Sequence, residues 1–191
     1  MNKFNVIAIA LVVVLSGCVS PAGMHQMTAK TIEVSKISDE NLLKNNLELK
    51  NISESTKSFM GKRELKNPLI KSEDFRQALE QSLKSAALLA SDQANAAYML
   101  EVNLLEVKFL MSEAVVALNI DLEFLVTAEY SLLEKKTGKK LYTQTIATPF
   151  VATMSDSFFA YKRMQVGAEG AARANIEKVV DELLGLHLVK S

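Results

Sequence analysis

The stretch LNIDLEFLVTAEYSL, residues Leu118–Leu132, decides the fold of this 191-residue chain. Its apolar residues fall on even positions and its polar residues on odd ones, with Leu125 as the exception. Alternation with a period of two is typical of a β-strand that has one buried and one hydrated face. We therefore expect a long strand whose even-numbered side chains enter the core: Leu118, Ile120, Leu122, Phe124, Val126, Ala128, Tyr130 and Leu132.

The sequence on either side of this stretch predicts two partner strands. Upstream, apolar residues alternate from Leu100 and then change parity, which predicts a bulge near Leu104 and Leu105. Downstream, residues 134–140 contain Gly138, which can adopt the positive φ of a tight turn. We expect this turn to lead into a strand over Leu141–Ala147, so that the three strands form an antiparallel sheet.

Helical spacing before the sheet predicts a first helix. Ser72 can cap its start, and apolar residues from Phe75 to Ala90 lie on one face at 100° per residue. We expect this helix to end near Ser91 and Asp92.

A second helix is predicted after the sheet, with its N-cap at Ser155 or Asp156. Asn175 lies on its apolar stripe, and an unpaired amide in a dry interface costs about 1–3 kcal/mol, so we expect Asn175 to find a partner. Gly167 and Gly170 weaken a helix and so suggest a close neighbour, which is either the first helix or else a second subunit or a partner protein. The apolar stripe consists of Tyr161, Met164, Ala168, Ala172, Ile176, Val179, Leu183 and Leu186. A series of charged residues at i, i+4 spacing consists of Glu169, Arg173 and Glu177.

The sequence also predicts a strand over Leu47–Ile52 and an irregular basic loop over Ser53–Lys71. Together with the elements above, they predict the fold class. It is an α+β two-layer sandwich in the order β-α-β-β-β-α. We expect a mainly antiparallel sheet of about four strands, with two helices on one face.

The only cysteine, Cys18, ends the sequence LSGC, formed by Leu15, Ser16, Gly17 and Cys18. Lys3 and an apolar run over Val6–Leu15 precede it, a layout typical of a secretory signal peptide and too short to span a membrane. The stretch resembles the lipobox of bacterial lipoproteins; an ordinary secretory signal with an incidental cysteine is the alternative. The resemblance implies a diacylglycerol on the Cys18 thiol, cleavage before it and acylation of the new amino group. In that family an aspartate after the cysteine indicates retention in the inner membrane, so the resemblance, with Val19 at this position, implies the outer membrane.

This resemblance predicts three segments. Residues 1–17 are the lipoprotein signal peptide, residues 18–30 a lipidated flexible tether, and residues 31–191 a single periplasmic α+β domain. The element order, the lipobox and the tail AEGAARANIEKVVDELLGL, residues Ala168–Leu186, are together similar to a group of small outer-membrane lipoproteins of unassigned task. The architecture is also similar to the lipopolysaccharide-assembly lipoprotein and to the amino-terminal domain of the Tol-system propeller protein.

Charge and motif content argue against several activities. The whole chain has 22 basic and 22 acidic side chains, and this balance is not typical of nucleic-acid binding. His25 and His187 have no neighbours at metal-ligand spacing, and no nucleophile motif is present. Asp121 and Glu123 point the same way from one strand, but we interpret them as solvated. We expect no catalytic residue, no metal and no cofactor beyond the lipid on Cys18.

The sequence therefore predicts a non-enzymatic binding or assembly accessory of the cell envelope. It would be anchored through lipid in the outer membrane, face the periplasm and bind another envelope protein, with no nucleic acid and no small-molecule substrate. The main alternative is a protein that handles lipid or lipopolysaccharide, and a hydrolase of unrecognised type is a third, weaker one. Three apolar residues, Phe109, Leu110 and Met111, are expected in a loop between strands, either covered by the domain or used for contact with a partner or the membrane.

Overall fold

The computed structural model describes residues 21–30, 41–53, 57–65, 68–110, 121–186 and 188. The elements in chain order are α1 (Met24–Met27), β1 (Leu47–Leu49), β2 (Lys57–Met60), β3 (Arg63–Glu64), α2 (Ser72–Ser85), a 3-10 turn (Gln93–Asn95), β4 (Tyr98–Leu110), β5 (Leu122–Glu134), β6 (Lys140–Ala152) and α3 (Ala160–Leu184). None of the helices in these ranges has the length and apolar character that a membrane crossing requires.

One mixed sheet of six strands forms the first layer. Its order is β3-β2-β4-β5-β6, and β1 pairs with β4 beside β2. The pairs β4–β5 and β5–β6 are antiparallel, whereas β1 and β2 run parallel to β4. A parallel pair needs a crossover connection, and α2 lies in that connection. The α+β class is confirmed, but the sheet is mixed and larger than the four antiparallel strands expected.

The even-numbered face of β5 is buried from Leu122 to Leu132, as its alternation predicts. Leu118 and Ile120 lie outside the described residues. The expected bulge is also confirmed, because the β4–β5 register shifts between Leu104 and Glu106. Gly138 has a φ of 69°, so the β5–β6 turn uses the predicted glycine. The local sequence pattern therefore determines the buried face of β5, the bulge in β4 and the turn between β5 and β6.

The segment Ser53–Lys71, expected as an irregular loop, contains β2 and β3. Gly61 separates these two short strands with a φ of 58°, and its N–H donates to the Phe109 carbonyl over 3.0 Å. Strands of four and two residues are too short for an alternation to be recognised. They form here because β2 adds to the edge of β4.

Helix α2 ends at Ser85, several residues before the predicted end. Ala87 takes a positive φ of 51° and turns the chain. The next residues then pair with β1: Leu47 N–H donates to the Leu88 carbonyl, and Ala90 N–H donates to the Leu47 carbonyl. The apolar residues Leu88 and Leu89, counted as helical in the sequence, are buried in extended backbone.

Helix α3 begins after Phe159, and the expected N-caps, Ser155 and Asp156, lie outside it. The Asp156 carboxylate accepts instead from Thr153 N–H at 2.8 Å. Tyr161 was expected on the buried stripe but is 46% exposed. The rest of the stripe is buried or half-buried, so the predicted face is correct beyond the first turn.

Asn175 joins α3 to the sheet, as its place on the stripe predicts. Its side chain is fully buried, and its Oδ1 accepts from the Tyr130 hydroxyl at 2.6 Å. Its Nδ2 donates to the carbonyls of Val126 at 3.1 Å and Ile146 at 2.9 Å. Since these partners belong to β5 and β6, one amide fixes the position of α3 over two strands.

The two helix glycines face phenylalanine rings, and the expectation that the first helix or a second subunit is their neighbour is wrong. A Cβ at Gly167 would lie 2.1 Å from the Phe124 ring, and one at Gly170 would lie 2.6 Å from the Phe150 ring. Both rings come from the sheet. The glycines therefore let α3 approach β5 and β6 over large aromatic side chains.

We expect Gly167→Ala to lower the free energy of unfolding by about 1–3 kcal/mol, because added volume strains a filled core. This loss would appear even though alanine favours a helix by about 1 kcal/mol. Gly170→Ala is the matched control, and its effect should be smaller, since Phe150 is only half-buried and its ring can turn away. Denaturant unfolding of both variants measures this, and a larger loss for Gly170→Ala would contradict the packing described.

Candidate binding surfaces

The N-terminal segment, residues 21–30, lies in the groove between α2 and α3, so the prediction of a flexible tether is wrong for these residues. Ala22 and Met27 are buried. Ala22 N–H donates to the Leu69 carbonyl at 2.9 Å, and Ala29 N–H donates to Ser82 Oγ at 3.0 Å. Residues 18–20 lie outside the described ranges.

Three charged side chains of α3 hold this N-terminal segment by its backbone. Gly23 N–H donates to Glu169 Oε1 at 2.9 Å. Arg173 Nη1 donates to the Gln26 carbonyl at 3.1 Å, and Lys30 N–H donates to Glu177 Oε1 at 3.1 Å. The charged residues are the predicted i, i+4 series. In the structure each contacts the backbone of the N-terminal segment. The segment runs in the same direction as α3.

The outer face of the sheet lies opposite α3. Its side chains form rows across β4, β5 and β6, such as Asn103, Glu129 and Thr145. No described helix covers it, and the β6 side chains on this face from Thr143 to Val151 are exposed. The face comprises Glu101, Asn103, Glu106, Lys108, Glu123, Leu125, Thr127, Glu129, Ser131, Thr143, Thr145, Ala147, Pro149 and Val151.

Strand β6 is the free edge of the sheet. Among the described strands it pairs only with β5, so no described strand pairs with its other side over Lys140–Ala152. Pro149 removes one of the N–H donors, which is one way that natural sheets limit unwanted strand pairing. A partner that binds here would reach both the edge and the outer face.

Buried polar groups on the helix side serve structure. Burial raises the pKa of the Tyr130 phenol well above its ordinary value. Burial, followed by the hydrogen bond to Glu182, also raises the pKa of Tyr142. Both hydroxyls stay protonated at neutral pH and donate hydrogen bonds to α3. Neither is suited to act as a general base.

The residues considered for chemistry are exposed or lie outside the described ranges. His25 lies in α1, and His187 is outside the described residues. Asp121 and Glu123 are both exposed. Within the described ranges, no three His, Cys, Asp or Glu side chains are grouped so that they could hold a metal ion.

The predicted site residues are only partly within the described ranges. Leu15, Ser16, Gly17 and Cys18 lie outside them, and so does Met111. Phe109 and Leu110 were expected in a loop but belong to β4. Phe109 is buried and stacks on Phe124 with ring centroids 4.9 Å apart, whereas Leu110 is 37% exposed. Phe109 is therefore covered by the domain, and Leu110 is available for contact.

Sequence reasoning missed the aromatic residues before and within the first turn of α3. Phe158 is 77% and Phe159 59% exposed, and with Tyr161 they form one cluster. Two adjacent phenylalanines after a turn give no periodic signal, and Tyr161 fits the apolar stripe by its spacing. Only the observed start of α3 shows that all three project outward.

Known proteins match this chain in fold. No family model and no curated protein sequence matches it. A DUF330-family protein from Xanthomonas campestris is 9% identical over 73% of this chain and 83% of its own, with a TM-score of 0.53. The PelC dodecamer from Paraburkholderia phytofirmans is 12% identical over 73% and 88%, with a TM-score of 0.46. A minor lipoprotein from Acinetobacter baumannii is 12% identical over 73% and 95%, with a TM-score of 0.37.

At these identities the comparisons describe the fold alone. The similarities to the lipopolysaccharide-assembly lipoprotein and to the Tol-system protein remain predictions.

Proposed function

We propose that this chain is a lipoprotein of the bacterial cell envelope that binds another envelope protein and performs no catalysis. Acyl chains on Cys18 anchor it in the outer membrane, and the domain faces the periplasm. The anchor rests on the lipobox resemblance at Leu15–Cys18. The binding role rests mainly on the outer face of the sheet, which is wide, rich in polar groups and bordered by the free edge of β6.

The described grooves favour protein binding over lipid handling. A lipid carrier needs an apolar cavity for acyl chains. The groove of about 580 Å³ beside the N-terminal segment is lined by charged side chains, among them Lys162, Glu169 and Arg173. A second groove, of about 610 Å³, includes Glu80 and Lys84. The interior of the sandwich is filled by aromatic and aliphatic side chains.

A photocrosslinking residue at Thr145, on the outer face, tests the binding role in intact envelopes. We expect one reproducible protein adduct from this position. The matched control is the same residue at Lys178, which is exposed on α3 away from the sheet. No adduct from Thr145, or equal adducts from both positions, would contradict the proposal. A glycolipid adduct would favour lipid handling.

The anchor gives a separate prediction. Cys18→Ser should abolish labelling by a fatty-acid probe, because the chain has no other cysteine to carry a thioether lipid. The variant should accumulate as an unprocessed or soluble form with an unchanged fold. Several acyl chains hold a protein stably on a membrane where one does not, so release into the soluble fraction should be extensive. Undiminished labelling of the serine variant would show that the lipid is elsewhere.

A further inference from the structure

Exposed apolar side chains concentrate at one end of the domain. Of the six large apolar residues exposed in the described ranges, five lie where β4 and β6 end and α3 begins: Leu110, Val151, Phe158, Phe159 and Tyr161. We call these five residues the aromatic end. Phe158 and Phe159 have ring centroids 6.0 Å apart, and Phe159 and Tyr161 5.7 Å apart. Such a patch on a soluble domain typically marks a contact surface.

A buried arginine holds the aromatic end in place. Arg163 is 7% exposed, and its Nη1 donates to the carbonyls of Ser157 at 2.9 Å and Phe158 at 3.1 Å. The turn before α3 is further closed by Thr153, whose N–H and hydroxyl both donate to Asp156. The phenylalanine rings therefore project from a backbone that is tied to the domain.

The N-terminal segment leads toward this same end. It runs parallel to α3, with Gly23 beside Glu169 and Lys30 beside Glu177, so its first residues lie nearer the start of α3 than its last ones. Ala160 precedes Glu169 by nine residues, about 14 Å along the helix axis. Cys18 precedes Gly23 by five residues, which can extend at most about 18 Å. A lipid on Cys18 can therefore lie level with the aromatic end.

Three lysines also lie at this end of the molecule. Lys62 follows Gly61 at the turn between β2 and β3, Lys71 precedes α2, and Lys162 lies in the first turn of α3; all three are exposed. Acidic groups lie at this end as well: Asp156 precedes the aromatic residues, Glu123 pairs with Leu110 and Val151, and Glu64 and Glu73 are close in sequence to Lys62 and Lys71. Aromatic rings flanked by lysines are typical of surfaces that sit at the membrane–water interface.

We propose that the aromatic end inserts into the surface of the membrane that carries the Cys18 lipid, which makes it a second anchor and fixes the orientation of the domain. This inference rests on the proposed lipid anchor. Phe158 and Phe159 enter the interfacial region, and the three lysines face anionic headgroups. The β5–β6 turn at the opposite end of the sheet then points away from the bilayer, and the sheet stands upright on it.

Tryptophan fluorescence tests this orientation, because the chain contains no tryptophan. Full-length lipidated Phe158→Trp would be reconstituted in vesicles of phosphatidylethanolamine and phosphatidylglycerol, with and without brominated acyl chains. The matched control is Lys136→Trp, an exposed position in the β5–β6 turn. We expect the tryptophan at position 158 to shift to the blue and to lose most of its emission to brominated lipid. The control should keep its emission.

Each other outcome overturns the inference in a distinguishable way. Acylated protein in which neither tryptophan is quenched is anchored by lipid alone, and equal quenching of both means that the domain has no fixed orientation. A blue shift at position 158 without quenching, together with a doubled mass in solution, would assign the aromatic end to a second copy of the chain. If mass spectrometry of the peptide that contains Cys18 shows no acyl chain, the proposed anchor itself fails.

Discussion

Replacing Phe124 with alanine is expected to lower the free energy of unfolding by about 3–5 kcal/mol. The ring is fully buried, stacks on Phe109 on one side and lies against Gly167 on the other. Neither neighbour can fill the space that the ring would leave, since Phe109 belongs to β4 and Gly167 has no side chain. Small domains are stable by only about 5–15 kcal/mol, so the variant would lose a large share of its stability.

Chemical denaturation followed by circular dichroism measures this loss. Phe158→Ala is the matched control, because the same side chain is removed from a position that is 77% exposed. Its effect should stay within about 0.5 kcal/mol. Similar midpoints for the two variants would show that the even-numbered face of β5 is not the inner face of the sheet.

The second large effect is expected at Asn175. Asn175→Asp should cost about 3–5 kcal/mol at neutral pH, because it places a negative charge in the core without a cation to pair with it. The carboxylate could still accept a hydrogen bond from Tyr130. Its other oxygen would face the carbonyls of Val126 and Ile146, which in the parent accept hydrogen bonds from the Asn175 amide. Asn175→Leu should cost less, about 1–3 kcal/mol, mainly because the Tyr130 hydroxyl loses its partner.

The pH dependence separates these two variants. Burial would raise the pKa of the introduced carboxyl above its unfolded value of about 3.9. The folded state then binds more protons than the unfolded state, so the stability of Asn175→Asp falls as the pH rises from about 4 to 7. Relative to the parent, Asn175→Leu should show no such change. Equal melting temperatures for the parent and Asn175→Asp at neutral pH would contradict the contacts assigned to Asn175.

Local periodicity explains what the sequence predicts well. The alternation in β5, the parity change at Leu104 and Leu105, and the turn at Gly138 each follow from a few neighbouring residues. Asn175 was also interpretable, because one amide among apolar residues on a helix face needs a partner wherever the helix packs. These features depend little on distant parts of the chain.

Features set by tertiary contacts could not be predicted in the same way. Residues 21–30 have no period, and they are ordered by Glu169, Arg173 and Glu177, whose spacing favours pairing within the helix equally well. Strands β2 and β3 exist through β4. The glycines of α3 indicated a close neighbour, but only the register of the helix on the sheet shows that this neighbour is a pair of phenylalanine rings.

The parallel alignment of the N-terminal segment with α3 has a mechanical consequence. If Cys18 carries the proposed lipid, a load that pulls residue 18 toward the membrane acts along the segment, so the contacts of Gly23, Gln26 and Lys30 are sheared together. If the segment ran the other way, the same load would peel them off one at a time at much lower force. The load instead passes from the backbone of the segment into α3 and, through Asn175, into β5 and β6. With the proposed anchor in place, the N-terminal segment therefore stays bound to α3 under tension, and the sheet bears the force.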